Sequence, residues 1–191
     1  MLVLNDIRGI VMPTDEQLYS RFIHGETEAL DELLLRHKDG LTWFLYGIVK
    51  NMEDAEDLMM DTFALLITKK LNFKNDSSFK TWLYGIGRNL ARKHARKSHY
   101  DNEQALNALP DSYMELIEES DLLSDIVKLE DNKRLYIALN SIPEEYATVL
   151  YLQYIEQLST EQIAKVMKKT VKQVYNLTAR AKAQMKKEIE L

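Results

Sequence analysis

The residues of this chain best suited to chemistry are cations gathered in two stretches that contain no acid. Residues 79–100 carry six Lys and Arg side chains, and residues 162–187 carry eight. Arg88, Arg92 and Arg96 recur every four residues, so on a helix they form one positively charged stripe. Like charges at this spacing repel, and a polyanion relieves the repulsion. The pattern indicates nucleic-acid binding, with an ordinary solvated helix face as the alternative.

Other chemistries have little support in the residue types. The chain has no Cys, which excludes disulfides, thiolate zinc sites and cysteine nucleophiles. Its four His lack metal-ligand spacing, and its six Gly form no phosphate-binding loop. We therefore expect no metal, no cofactor and no enzymatic activity. Neither a signal peptide nor a long apolar run is present, so the expected location is cytoplasmic, without membrane insertion.

A cluster of acids precedes the first basic stretch. Asp54, Glu56, Asp57 and Asp61 lie at the start of a predicted helix, where the helix dipole favours carboxylates. A solvated helix start and a protein-contact surface both fit this cluster. A metal or acid–base site is the sharper alternative.

Helices must position these side chains, because only six Gly and three Pro are available for turns. Thr14 and Gln17 match a capping box that begins the first helix. The polar residues 72–78 are predicted to be a loop, followed by a basic helix over residues 79–97. The predicted inner faces consist of Leu18, Phe22, Leu30, Leu33, Leu34, His37, Leu41, Phe44, Leu45, Ile48, Leu58, Thr62, Leu65, Leu66, Phe79, Trp82, Leu83, Ile86 and Leu90.

Three aromatic residues of the basic helix have two interpretations. Phe79, Trp82 and Tyr84 are able to stack on unpaired bases. Ordinary core packing is the alternative, and it is favoured for Phe79 and Trp82.

An acidic segment divides the chain. Between residues 101 and 131 ten acids accompany a single Lys, and helical periodicity is lost. The sequence therefore predicts an all-α fold of two small helical domains, at residues 14–100 and 130–191, joined by an acidic linker at residues 101–129.

The second domain contains two capping boxes that begin eleven residues apart, at Ser159 with Gln162 and at Thr170 with Gln173. This spacing predicts a helix of about two turns, a turn near Lys168 and a longer helix, which together form a helix-turn-helix. One face of the longer helix, with Val174 and Ala181, is predicted to be buried. The opposite face carries Lys172, Gln173, Asn176 and Arg180 and is free to enter a DNA groove.

Several motifs in order resemble the bacterial sigma-70 family. They are Asp54-Ala55-Glu56-Asp57-Leu58 with Thr62-Phe63, Phe79-Lys80-Thr81-Trp82-Leu83-Tyr84 with Arg88-Asn89-Leu90-Ala91, and Ile142-Pro143-Glu144-Glu145-Tyr146 before the capped helix pair. The resemblance covers about residues 14–100 and 130–187. Because only the second and fourth sigma domains have counterparts, the chain is most similar to the extracytoplasmic-function, or group 4, sigma factors.

This resemblance implies a transcription initiation factor that binds core RNA polymerase, directs it to promoters and assists DNA melting. The implied partners are the β′ clamp coiled coil and the β flap of polymerase, promoter DNA, and an anti-sigma factor, which is typical of the family. The implied polymerase contacts are Asp57, Leu58, Asp61 and Thr62. The implied −10 contacts are Asn72, Lys74, Asn75, Asp76, Ser77, Arg88, Asn89, Arg92, Lys93 and Arg96. The implied −35 contacts are Thr170, Lys172, Gln173, Asn176 and Arg180.

Two features depart from a simple match, and two other functions stay open. Lys168 stands where the family's turn usually has Gly. Gly85 and Gly87 lie inside the basic helix and each cost about 1 kcal/mol relative to Ala, so that helix is expected to depend on packing.

A stand-alone helix-turn-helix regulator would bind operator DNA without polymerase. A helical protein-interaction scaffold would have no promoter-dependent activity.

Overall fold

The computed structural model describes residues 12–102, 139 and 141–189, and every regular element in these ranges is helical. The first domain contains α1 (Asp15–Ile23), α2 (Glu28–Val49), α3 (Met52–Lys69) and α4 (Phe79–Asn102). The second contains α5 (Glu144–Leu150), a π-helical turn (Tyr151–Ile155), α6 (Thr160–Met167) and α7 (Val171–Ile189). The predicted all-α fold is confirmed. Beyond the end of α4, the predicted acidic linker lies outside the described residues.

The helices of the first domain pack together through apolar residues that recur at helical spacing. Thr14 and Gln17 form both hydrogen bonds of the predicted capping box, so α1 begins at Asp15. The helix α2 continues through Gly40 without a break. Most of the predicted inner-face residues are buried, namely Leu18, Phe22, Leu30, Leu33, His37, Leu41, Phe44, Leu45, Ile48, Leu58, Thr62, Leu66, Phe79 and Leu83. This core fixes α3 and α4 against α2.

None of the helices in the described part of the chain is long and apolar enough to span a membrane.

Asp15 connects the start of α1 to the middle of α2. Its Oδ2 atom lies 2.6 Å from Nε2 of His37, and its Oδ1 atom accepts a hydrogen bond of 2.9 Å from Arg36. Burial alone would raise the pKa of the Asp15 carboxyl, but the hydrogen bonds from His37 and Arg36 outweigh it and hold that pKa below its usual value. The ionised carboxylate therefore stabilises the folded state.

We expect Asp15→Asn to lower the free energy of unfolding by about 1–2 kcal/mol at neutral pH, because the amide keeps the size of the side chain and loses its charge. The folded-state pKa of Asp15 is below the unfolded one, so this contribution is present above about pH 4 and is lost as the pH falls through the folded-state value. Urea unfolding of both proteins at pH 7 and pH 3 measures it. The difference between them should shrink at the lower pH, and an unchanged difference would contradict the assignment.

The second domain has the predicted helix-turn-helix. Ser159 caps α6 through both hydrogen bonds of its box with Gln162. Lys168 ends α6 in the left-handed region, with φ of 54°, so a lysine occupies the conformation that glycine adopts most easily. Val174 and Ala181 of α7 are buried as predicted. The helix pair is therefore formed despite the departure at the turn.

The two domains lie directly against each other, with α4 on α6 and α2 on α5. The hydroxyl of Tyr151 donates to the carbonyl oxygen of Gly40 at 2.9 Å. Lys80 forms an ion pair of 2.5 Å with the buried Glu156. A Cβ atom on Gly40 would lie 2.7 Å from both Oε1 of Glu156 and the hydroxyl of Tyr84, so a larger residue here would force these side-chain ends to shift.

Candidate nucleic-acid interface

The loop between α3 and α4 is anchored at both ends by α1. The hydroxyl of Tyr19 donates to the carbonyl oxygen of Leu71 at 2.6 Å, and Glu16 accepts the amide of Phe79 at 2.9 Å. The side chain of Ser78 accepts the amide of Thr81 and so caps the start of α4. These contacts fix the ends of the loop from the neighbouring helix.

The tip of this loop presents polar groups to solvent. Asn72, Lys74, Asn75 and Asp76 are exposed, and Ser77 is half-buried. Asn75 has φ of 58°, a left-handed conformation that Asn adopts more easily than most residues. An exposed polar tip on an anchored base is suited to hydrogen-bonding the edges of an unpaired nucleotide.

The aromatic residues near the loop belong mainly to the core. Phe79 and Tyr84 are 0% and 1% exposed, which rules out base stacking for them in this structure. Trp82 is half-buried, with its ring centroid 5.2 Å from Phe73 and 5.3 Å from Tyr19. The favoured interpretation, core packing, is confirmed for Phe79, and Trp82 packs at the edge of the same cluster.

The cationic stripe of α4 is divided by the structure. Asn89, Lys93 and Arg96 are exposed and Arg92 is half-buried, so these side chains are available to a polyanion. Arg88 is only 1% exposed, because α6 covers it. The predicted DNA contact of Arg88 is therefore not possible while the domains have this arrangement.

The environment of Arg88 is incomplete for a buried cation. Its Nη1 group donates to the carbonyl oxygen of Met167 at 3.3 Å, while Nε and Nη2 have no hydrogen-bond partner among the described residues. Burial lowers the pKa of the guanidinium and the charge of Arg92 adds to this, whereas Glu144 and Glu145 act in the opposite direction. Buried charged groups normally have all their hydrogen bonds made.

The acid cluster of α3 has an outer and an inner side. Asp57 and Asp61 are exposed, as a contact surface requires. Leu58 is 7% exposed, and the fully buried Thr62 donates its hydroxyl to the carbonyl oxygen of Leu58 at 2.7 Å. A partner outside the domain therefore reaches the two acids, while Leu58 and Thr62 support them from the core. Metal-ligand clusters of three or more His, Cys, Asp or Glu are absent from the described residues.

Sequence reasoning missed the apolar residues on the outer side of α3. Met60 is 55% exposed and Ile67 is 52% exposed. Met60 follows Asp57 by three residues and so lies beside it, and Ile67 lies two turns further along the Met60 face. Large exposed apolar side chains beside charges often mark a protein interface. The spacing of seven residues between Met60 and Ile67 is the signal in the sequence that places them on one helix face.

The second candidate surface is the start of α7. Lys172, Gln173, Asn176 and Arg180 are exposed. The side-chain oxygen of Gln173 accepts the amide of Thr170 at 2.8 Å, and the Thr170 hydroxyl accepts the amide of Gln173 at 3.2 Å. Thr170 and Gln173 therefore cap the helix, which leaves the NH₂ group of Gln173 as its donor toward DNA.

Two further exposed residues of α7 were not predicted to contact DNA. Tyr175 is 62% exposed and Val171 is 37% exposed, and they follow each other at a spacing of four on the surface of the helix. Apolar groups at such positions contact the methyl group of thymine in the major groove.

Comparison with known families assigns both domains. The family described as Sigma-70 region 2 matches residues 33–99, and the family described as Sigma-70, region 4 matches residues 133–185. The RNA polymerase sigma-H factor of Pseudomonas aeruginosa is 28% identical over 92% of this chain and 94% of its own length. The ECF RNA polymerase sigma factor SigW of Bacillus subtilis is 26% identical over 86% of this chain and 91% of its own length.

Solved structures share the fold. CnrH in complex with the cytosolic domain of CnrY superposes with a TM-score of 0.65 at 22% identity, covering 92% of this chain and 97% of CnrH. The sigma factor RpoE in complex with the anti-sigma factor NepR from Bartonella quintana gives a TM-score of 0.64 at 21% identity, covering 84% of this chain and 96% of RpoE. The two matched regions and the relatives show that the chain belongs to the sigma-70 family, as an extracytoplasmic-function RNA polymerase sigma factor that directs polymerase to promoters.

Proposed function

We propose that this sigma factor initiates transcription through three separate surfaces, one for core polymerase and two for DNA. The observation that carries the proposal is the presence of an acid-free basic stretch of sequence in each domain, one following an anchored polar loop and one within a helix-turn-helix. The proposed domain limits are residues 14–100 and 130–191, with residues 101–129 as the connection. The chain acts by binding, without a covalent step of its own.

The first domain recognises and melts the −10 element in this proposal. The exposed tip of the loop, with Asn72, Lys74, Asn75, Asp76 and Ser77, accepts a base that has left the stack. The cations of α4 neutralise the neighbouring phosphates. They are Arg92, Lys93 and Arg96, with Arg88 added once it is uncovered, and Asn89 lies among them.

The second domain recognises the −35 element by placing α7 in the major groove. Residues near the start of such a helix reach base edges, so Lys172 and Asn176 are proposed to read sequence. Thr170 and Gln173 fix the start of the helix, and the NH₂ group of Gln173 adds a donor. Arg180, two turns further along, contacts phosphate.

Core polymerase is proposed to dock on α3 and on the second domain, through its β′ clamp coiled coil and its β flap respectively. Asp57 and Asp61 supply charge at the first contact, and the exposed Met60 adds apolar area beside them. Leu58 and Thr62 hold this surface in place from the core. We also propose an anti-sigma partner, because the similar sigma factor RpoE was solved in complex with the anti-sigma factor NepR.

Run-off transcription with core polymerase tests this function. Promoters are first selected from a random DNA library with the reconstituted holoenzyme, and each transcript is then mapped with and without this chain. Transcripts that require the chain and start at a fixed distance from a shared pair of sequences support the proposal. Sequence-specific DNA binding by the free chain without dependent transcripts would instead indicate a stand-alone regulator. The absence of both would indicate an interaction scaffold.

A further inference from the structure

The helix α1 contacts both ends of the loop between α3 and α4, and it lies outside the matched sigma region 2, which begins at residue 33. The hydroxyl of Tyr19 donates to the carbonyl oxygen of Leu71 near the start of the loop, and Glu16 accepts the amide of Phe79 directly after its end. Glu16 and Tyr19 are three residues apart, so they lie on the same face of α1. One face of a single helix therefore holds both ends of the loop.

The bond to Glu16 also completes the start of α4. Phe79 is the first residue of α4, and the first amides of a helix have no partner within the helix. The Glu16 carboxylate accepts one of them, at the end of α4 where the helix dipole favours negative charge. Burial would raise the pKa of this carboxyl, but hydrogen bonds, led by that from the Phe79 amide, outweigh it and hold the pKa below its usual value. The helix α1 thus caps the helix that carries the proposed −10 cations.

Tyr19 supports the loop through its ring as well as its hydroxyl. The side chain is 2% exposed, and its ring centroid lies 5.2 Å from that of Phe79 and 6.3 Å from that of Phe73, a residue of the loop itself. Burial raises the pKa of the hydroxyl to about 12, so the proton donated to Leu71 is retained near neutral pH. Replacement by Phe removes this hydrogen bond and keeps the aromatic ring.

The position of α1 is itself fixed by the core of the first domain. Asp15, which precedes Glu16, contacts His37 and accepts a hydrogen bond from Arg36 of α2. Leu18 of the same helix is fully buried. Because these residues hold α1 against α2, the carboxylate of Glu16 and the hydroxyl of Tyr19 stay where the ends of the loop require them.

The later part of the loop has contacts from another source. Lys165 of α6 donates to the carbonyl oxygen of Asp76, and Gln162 donates to the side chain of Ser78 at 3.1 Å. These bonds come from the second domain, whereas the bonds from α1 lie within the first. The bonds from α1 are therefore the ones that belong to the first domain by itself.

We propose that α1 is a positioning element for base capture at the −10 element, in which Glu16 and Tyr19 hold the two ends of the loop and so order its polar tip before DNA arrives. A loop ordered in advance loses less conformational freedom on binding, which raises its affinity for an unpaired base. Both side chains act through the loop backbone and neither touches the base. The positioning role is a property of the first domain, and only the identity of the captured ligand rests on the proposed function.

Capture of the base can be followed with 2-aminopurine, which becomes more fluorescent when it leaves the base stack. The probe replaces single bases in the −10 non-template strand of a selected promoter, bound by reconstituted holoenzyme. Tyr19→Phe should lower the equilibrium constant for capture about three- to tenfold, the usual effect of one hydrogen bond. Tyr46→Phe is the matched control and should capture normally, because it removes the same atom from a half-buried tyrosine of α2 whose ring packs on Trp43.

Glu16→Ala and Glu16→Gln separate the hydrogen bond from the charge. Both remove one negative charge beside a proposed DNA surface, which alone would strengthen DNA binding. Only Ala removes the acceptor for the Phe79 amide, because Gln keeps a side-chain oxygen of the same reach. Capture should fall with Ala and be largely restored with Gln. Equal losses from both variants would overturn the positioning role of this hydrogen bond.

The order of the loop is measured separately, since a chain with no Cys accepts a label only at an introduced position. A nitroxide at Lys74→Cys, an exposed site at the tip, reports mobility in the holoenzyme without DNA. Tyr19→Phe and Glu16→Ala should both raise this mobility, while affinities for core polymerase and for the −35 duplex stay nearly constant. Tyr19→Phe keeps its ring in the core and decides the test if Glu16→Ala is unstable.

The two measurements together distinguish the possible failures. Unchanged mobility of the label overturns positioning by α1, whatever happens to capture. Higher mobility with normal capture supports positioning by α1, and it means that the proposed role of the loop at the −10 element fails. Higher mobility with weaker capture supports both.

Discussion

Replacing both Asp57 and Asp61 by Lys is expected to abolish holoenzyme formation while leaving the fold intact. Both acids are exposed on α3, so the change alters the surface by four charges at the proposed polymerase contact. Like charges brought together in an interface cost several kcal/mol, which corresponds to more than about a hundredfold loss of affinity. Exposed substitutions usually change the free energy of unfolding by no more than about 0.5 kcal/mol, so the melting temperature should stay nearly constant.

Titration of labelled sigma factor with core polymerase, followed by fluorescence anisotropy, measures this loss. The matched control replaces Asp31 and Asp39 by Lys, which makes the same charge change at exposed acids of α2. The control should bind core polymerase almost as well as the wild type. Equal losses in both variants would indicate a general charge effect, and normal affinity of the α3 variant would reject the assigned surface.

The second large effect is expected at the recognition helix. Asn176→Ala should cost about 1–3 kcal/mol at particular base pairs of the −35 element and relax the preference there, because base edges are read near the start of such a helix. Lys186→Ala with Lys187→Ala, at the far end of α7, should weaken all sequences equally. The slope of binding against salt should fall by about one unit for each phosphate that these lysines no longer neutralise.

Binding of the full chain to single-base variants of the −35 duplex at several salt concentrations separates these effects. Gln173→Ala needs an additional thermal melt, since Gln173 also caps α7 and its removal is expected to cost about 1 kcal/mol of stability. Asn176 has no role in that capping box and is the cleaner probe. A uniform loss across all base variants from Asn176→Ala would show that it only positions the helix.

The features predicted correctly from the sequence are those specified by neighbouring residues. The capping boxes at Thr14, Ser159 and Thr170 depend on a partner three positions away, and all three are formed. The buried faces of the helices depend on apolar residues three and four positions apart. Helix starts and buried helix faces can therefore be predicted from residues that are close together in the sequence.

The features that were missed depend on contacts between distant parts of the chain. Arg88 resembles the other cations of its stripe in sequence, but it is buried by a helix whose accepting carbonyl group is 79 residues away. The bond between Lys165 and Asp76 spans 89 residues, and nothing in either neighbourhood signals the other. Thr62 was correctly placed on the inner face by periodicity, although family resemblance had also included it in the polymerase contact.

The left-handed lysine at the turn has a consequence for the helix-turn-helix. Lys168 has φ of 54°, a conformation that costs a residue with a side chain about 1 kcal/mol relative to glycine. The turn in return carries an exposed cation at the junction of α6 and α7, where glycine would have none. The motif therefore gives up some turn stability and gains positive charge beside its exposed helix face.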